Sequence, residues 1–148
     1  MSINIAILGT SRVSSLIDVI VNSSSTKPKQ SQTLTPLRVW HVPQTNARLW
    51  EVCSGPDSNA VYSLLPSAAS AFILIINASQ PDEVTSLLPI CKNKPIFLVV
   101  DHPDEASLDI GSLLPNEFHS KPLAVCDLSS RETARLVKHD VMDWISEL

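Results

Sequence analysis

At 148 residues the chain has room for one domain and too few residues for two ordinary ones. With 44% hydrophobic and 18% charged residues it has a globular balance, and no uninterrupted apolar run approaches the roughly 18 to 20 residues that span a bilayer, so a membrane-embedded protein is not expected. A formal net charge of -4, with the 11 basic residues scattered rather than clustered, argues against direct nucleic-acid binding.

Residues 3–8 (INIAIL) form a compact β-branched run that stops at Gly9 and reads as a buried strand ending in a turn. No basic region precedes it and no small-residue cleavage site follows it, so a secretory leader is not expected and an intracellular location is. Val13, Leu16, Ile17, Ile20 and Val21 then fall on a single helical stripe, with Ser11 as a cap. Residues 22–36 hold almost nothing apolar and predict a long mobile loop. Two short β-type runs, 37–42 and 48–52, carry Trp40 and Trp50 and lie at the right separation for an antiparallel hairpin.

After a break at 54–57, a weak helix is expected at 58–65. Residues 71–76 (AFILII) are apolar without interruption, which suits a central strand buried on both faces of a parallel sheet. Pro81 at a first helical position, acidic Asp82 and Glu83, then Val84, Leu87, Leu88 and Cys91 predict a second good helix. Residues 95–100 are the next buried strand, with Pro95 at the strand start, where proline is tolerated. Leu108, Ile110, Leu113 and Leu114 suggest a short helix ending near Pro115, and 123–126 a last strand. Ser129 and Glu132 have capping-box spacing, and Ala134, Val137, Val141, Trp144, Ile145 and Leu148 line one face of a C-terminal helix. The expected fold is therefore a single α/β domain over 1–148, a three-layer, mostly parallel sheet with one antiparallel hairpin strand. Ligands of such sheets sit beyond the carboxyl ends of the strands.

Most conventional chemistries are poorly supported. Cys53, Cys91 and Cys126 are widely spaced within apolar segments and read as reduced core residues. His41, His102, His119 and His139 have no zinc-ligand spacing, and the serines lack a G-x-S-x-G elbow. Asp101, Asp104 and Asp127 fall on one sheet edge, where carboxylates act as an acid/base pair or, more commonly, as solvated loop residues. A tryptophan on a hairpin is ordinarily core, but an exposed Trp40 or Trp50 would be an interface anchor.

The order of elements resembles the small-GTPase, Ras-like P-loop fold across nearly the whole chain. A phosphate loop reads G-x-x-x-x-G-K-S/T: backbone amides cradle the phosphates, the lysine neutralises them, and the hydroxyl ligates magnesium. Here the segment is Gly9-Thr10-Ser11-Arg12-Val13-Ser14-Ser15-Leu16, so Ser14 replaces the second glycine, Ser15 the lysine and Leu16 the magnesium ligand. Leu49-Trp50-Glu51-Val52-Cys53-Ser54-Gly55 resembles the tryptophan, acidic residue and glycine that end the hairpin in small GTPases, with one extra residue before Gly55. Pro56 and Asp57 follow instead of a water-positioning glutamine. In Asp101-His102-Pro103-Asp104 only Asp104 matches the base-reading N-K-x-D, and Cys126-Asp127-Leu128-Ser129 lacks the last guanine-loop pattern. The expectation is a degenerate nucleotide site, with no enzymatic activity, cofactor or metal.

Two end segments, Ile5-Ala6-Ile7-Leu8-Gly9-Thr10 and Pro122-Leu123-Ala124-Val125-Cys126-Asp127-Leu128 before a final helix, resemble the centromere protein M family of pseudo-GTPases. That resemblance implies a noncatalytic subunit of the inner kinetochore in the nucleus, packed against centromere protein I beside centromere proteins H and K. Residues 87–104 are also similar to the pseudo-GTPase domain of alpha- and gamma-adaptin-binding protein, which would imply a cytoplasmic adaptor-assembly chaperone. A third reading is a divergent nucleotide-binding GTPase of the microcompartment-associated EutP type.

Overall fold

The computed structural model describes residues 3–9, 13–21, 29–30, 37–42, 45–52, 58–79, 87–91, 93–102 and 116–148. Its strands are β1 (Ile3–Leu8), β2 (Lys29–Gln30), β3 (Leu37–His41), β4 (Ala47–Val52), β5 (Ala71–Asn77), β6 (Ile96–Asp101) and β7 (Leu123–Cys126). Among the described residues the helices are α1 (Val13–Val21), α2 (Ser58–Ala68), the short α3 (Leu88–Cys91) and α4 (Arg131–Ser146), with a 3-10 turn at Asn116–Phe118. The strands form one sheet in the order β2-β3-β4-β1-β5-β6-β7. β1 pairs in parallel with β4 and β5, and β5-β6 and β6-β7 are also parallel; β3 runs antiparallel to both β2 and β4.

Alternation along the strands supplies two cores. Ile5 and Ile7 of β1, Ala71, Ile73 and Ile75 of β5, and Phe97 and Val99 of β6 face α1 and α4. Ala6, Leu8, Phe72, Leu74, Ile76, Leu98 and Val100 face the other way, toward Leu65 of α2 and Cys91 of α3. This two-sided burial is why β5 reads as an apolar run without alternation. In α1 the stripe Leu16, Ile17, Ile20 and Val21 is buried as its spacing predicts; in α4 the buried residues are Ala134, Val137, Val141 and Ile145. Trp144 is half-buried, its ring 5.6 Å from that of Phe97 and inclined at 50°.

The α/β, mostly parallel architecture is the one expected, with four local differences. The predicted loop 22–36 contains β2, which has no apolar signal of its own and exists by pairing Lys29 with Val39 and Gln30 with Arg38. α2 runs past Pro66 to Ala68 instead of stopping at 65, its end closed by the Ala69 N–H bonding to the Leu65 carbonyl and by the Lys94 ammonium on the Ala69 carbonyl. The expected capping box is not formed. Ser130 is the N-cap and makes no side-chain cap bond, Ser129 Oγ donates to Asp127 instead, and the Thr133 hydroxyl satisfies the Asp127 and Ser130 carbonyls. Leu148, placed on the helical stripe by spacing, lies beyond the end of α4 and is exposed. Only the last turn of the helix expected at 81–91 is described, as α3, and the helix expected at 108–115 lies outside the described residues. No helix among the described residues is long and apolar enough to cross a membrane.

Candidate functional site

β1 has β4 on one side and β5 on the other, so the winding of the chain reverses about β1 and the crevice for a ligand lies beyond its carboxyl end. Gly9 stands there. A Cβ on Gly9 would lie 2.9 Å from Ile75 Cβ, 3.3 Å from the Ile75 carbonyl oxygen and 3.5 Å from Val13 Cγ2. Close approach of β5 thus requires glycine whether or not a phosphate is ever present. Thr10, Ser11 and Arg12 lie outside the described residues.

The three altered loop positions fall in the first turns of α1 and meet three different environments. Leu16, in the place of the magnesium ligand, is fully buried in the core between α1, α4 and the sheet. Ser15, in the place of the lysine, is half-buried and borders a cavity of about 190 Å³ shared with Asp18, Val19, Leu128, Ser129 and Ala134. Ser14, in the place of the second glycine, is exposed as a residue, yet its Oγ donates to Glu51 Oε2 at 2.6 Å.

Glu51 is the acidic residue of the hairpin motif, and at 4% exposure it is the one buried charged residue among those described. Its side chain follows Ala47 and Leu49 onto the α1 face of β4. The second carboxylate oxygen, Oε1, accepts from Trp40 Nε1 at 3.1 Å. Ser14 of α1, Glu51 of β4 and Trp40 of β3 therefore make one polar chain at the strand end. Sequence reasoning placed Glu51 in a motif but missed its burial, because its donors come from 37 and 11 positions away.

The tryptophans stand on opposite faces of the hairpin. Trp40 packs against the α1 and α4 core and Trp50 against the α2 and α3 core, both half-buried. The carboxylates at the sheet edge are likewise engaged by backbone. Asp101 Oδ1 accepts the Leu128 N–H at 2.9 Å, tying the end of β6 to the turn before α4. Asp127 Oδ1 accepts the Ser129 N–H at 2.9 Å, a local turn bond. Neighbouring Asn77 does the same for Ser79, at 3.0 Å from its N–H and 2.7 Å from its hydroxyl. Gly55, Pro56, Asp57 and Asp104 lie outside the described residues. No group of three His, Cys, Asp or Glu residues among the described ones is placed to hold a metal ion. Cys91 and Cys126 are buried and form no disulfide among the described residues, and burial pushes the Cys91 thiol up to about 12. Cys53 lies outside the described residues.

No protein-family model matches the chain. No curated protein matches its sequence either. Solved structures do match in fold. The G domain of the Thermotoga maritima FeoB iron transporter covers 98% of this chain over 99% of its own, at 17% identity and a TM-score of 0.66. The cytosolic domain of the same transporter in its GMPPNP form is similar over 95% of this chain and 63% of its own, at 17% identity and a TM-score of 0.67. A small COPII coat GTPase, SAR1, from Encephalitozoon cuniculi in complex with GDP is similar over 99% of this chain and 83% of its own, at 10% identity and a TM-score of 0.62. The chain therefore has the small-GTPase-like P-loop fold, at identities where likeness speaks for fold alone.

Proposed function

We propose that the chain is a noncatalytic pseudo-GTPase that binds protein partners rather than nucleotide, as a structural subunit of the inner kinetochore. The observation that carries the first half is the state of the α1 start, where the magnesium position is a core leucine and a buried carboxylate holds the Ser14 hydroxyl. A triphosphate entering this crevice would find Ser15 where neutralising lysine is needed. Brought within roughly 5 Å of Glu51, it would also meet on the order of 3 kcal/mol of repulsion per unit charge at an effective dielectric of about 20. The second half rests on the resemblance of the two end segments to the centromere protein M family. It names centromere protein I as the packing partner, with centromere proteins H and K beside it, in the nucleus. A divergent nucleotide-binding GTPase is the competing reading, favoured by likeness to domains solved with GDP or GMPPNP.

Affinity capture of the full chain from native extract, run in parallel with and without GTP and magnesium, tests the assignment. The expected result is co-recovery of centromere proteins H, I and K at equal yield in both buffers. Recovery of adaptin subunits, or of any partner only when GTP is supplied, would overturn it.

A further inference from the structure

We propose that Glu51 is a built-in latch that makes the first turn of α1 and the β3-β4 hairpin move as one body without any ligand; this deepens the nucleotide-free reading above. The argument starts from the carboxylate's two oxygens. Oε2 is held by Ser14 on α1, and Oε1 by Trp40 on β3. Glu51 itself belongs to β4, in register with Ile7 of β1 and Arg38 of β3. A carboxylate at 4% exposure is tolerated only when its oxygens are satisfied, so loss of either donor raises the cost of keeping the group inside and favours its swinging outward, away from the other donor. Ser14 and Trp40 are thereby coupled through Glu51, although they sit on different elements. At Ser14, where the phosphate-loop pattern has its second glycine, helix and hairpin are bridged by the chain's own side chain, so their relative placement is set without a ligand.

The experiment uses Ser14→Ala, a change at an exposed residue that leaves both cores intact. Nuclear magnetic resonance would follow the Trp40 indole N–H signal, and hydrogen exchange the amides of α1 and β3. The latch predicts that Ser14→Ala shifts the Trp40 indole signal and speeds exchange in β3 by about tenfold, the scale of one lost hydrogen bond to a charged group. Conversely, Trp40→Phe is expected to speed exchange in the first turn of α1, and Glu51→Gln to perturb both ends at once. Changes confined to α1 in Ser14→Ala, with the Trp40 signal and β3 exchange as in the parent, would overturn the latch. The readout needs no nucleotide. A chain that bound GTP yet showed this coupling would keep the latch and lose the pseudo-GTPase reading, whereas a nucleotide-free chain without coupling would do the reverse.

Discussion

Gly9→Ala is expected to destabilise the protein by about 1–3 kcal/mol, the usual range for overpacking a filled interior, and Gly9→Val by more. The alanine Cβ would come within 2.9 Å of Ile75 Cβ. Ile75 cannot easily withdraw, because β5 is held between β1 and β6 and Ile75 is in register with Val99. The Ile75 carbonyl oxygen, 3.3 Å from the same point, is backbone and yields less than a side chain would. At about 2–4 °C per kcal/mol for a chain of this size, the melting temperature should fall measurably in thermal unfolding. If Gly9 were present only to let a phosphate approach, the alanine variant without nucleotide would melt with the parent; that result would contradict the packing account.

Placing a threonine at the position that the phosphate-loop pattern gives to the magnesium ligand is expected to cost more. Leu16→Thr removes buried apolar volume from the α1 and α4 core and places a hydroxyl there, together about 3–5 kcal/mol. Ser15→Lys should be close to neutral, since Ser15 is half-buried at an open cavity that exposed Asp18, one turn away, also lines. The paired variant should therefore lose about what Leu16→Thr loses alone, as read from denaturant midpoints. A Leu16→Thr loss below roughly 1 kcal/mol would show that the position had kept the tolerance of a ligand site instead of becoming core.

How much of this was legible in the sequence depended on whether each element carried its own pattern. β1, β5 and β6 are hydrophobic runs because both faces of the sheet are covered, and the stripes of α1 and α4 follow from one-sided burial; all five were readable from spacing. β2 was not, since Lys29 and Gln30 become a strand only by lying along β3. Phe118, fully buried against the α2 and α3 side, was missed because it stands alone between polar residues on a 3-10 turn. Capping failed for a related reason. The Ser129 N–H and hydroxyl both donate to Asp127 Oδ1, which holds Ser129 in the turn before the helix and leaves Ser130 as the N-cap.

The site divides in the same manner. Ser14, Ser15 and Leu16 were visible as departures from the phosphate-loop spacing, but the contacts around them were not. The bond from the Leu128 N–H to Asp101 spans 27 positions, and the burial of Glu51 depends on packing α1 across the hairpin. Local sequence carries no record of such pairings. Trp40 illustrates the gap: spacing offered core or interface anchor, and the structure adds a third role, hydrogen-bond donor to a buried carboxylate.

Isothermal titration of the full chain with GTP and with GDP, each with magnesium, tests the central claim most directly. Leu16 at the magnesium position, Ser15 at the lysine position and the Glu51 carboxylate of β4 facing the start of α1 predict no saturable heat with either nucleotide. Saturable binding at micromolar affinity would contradict that account.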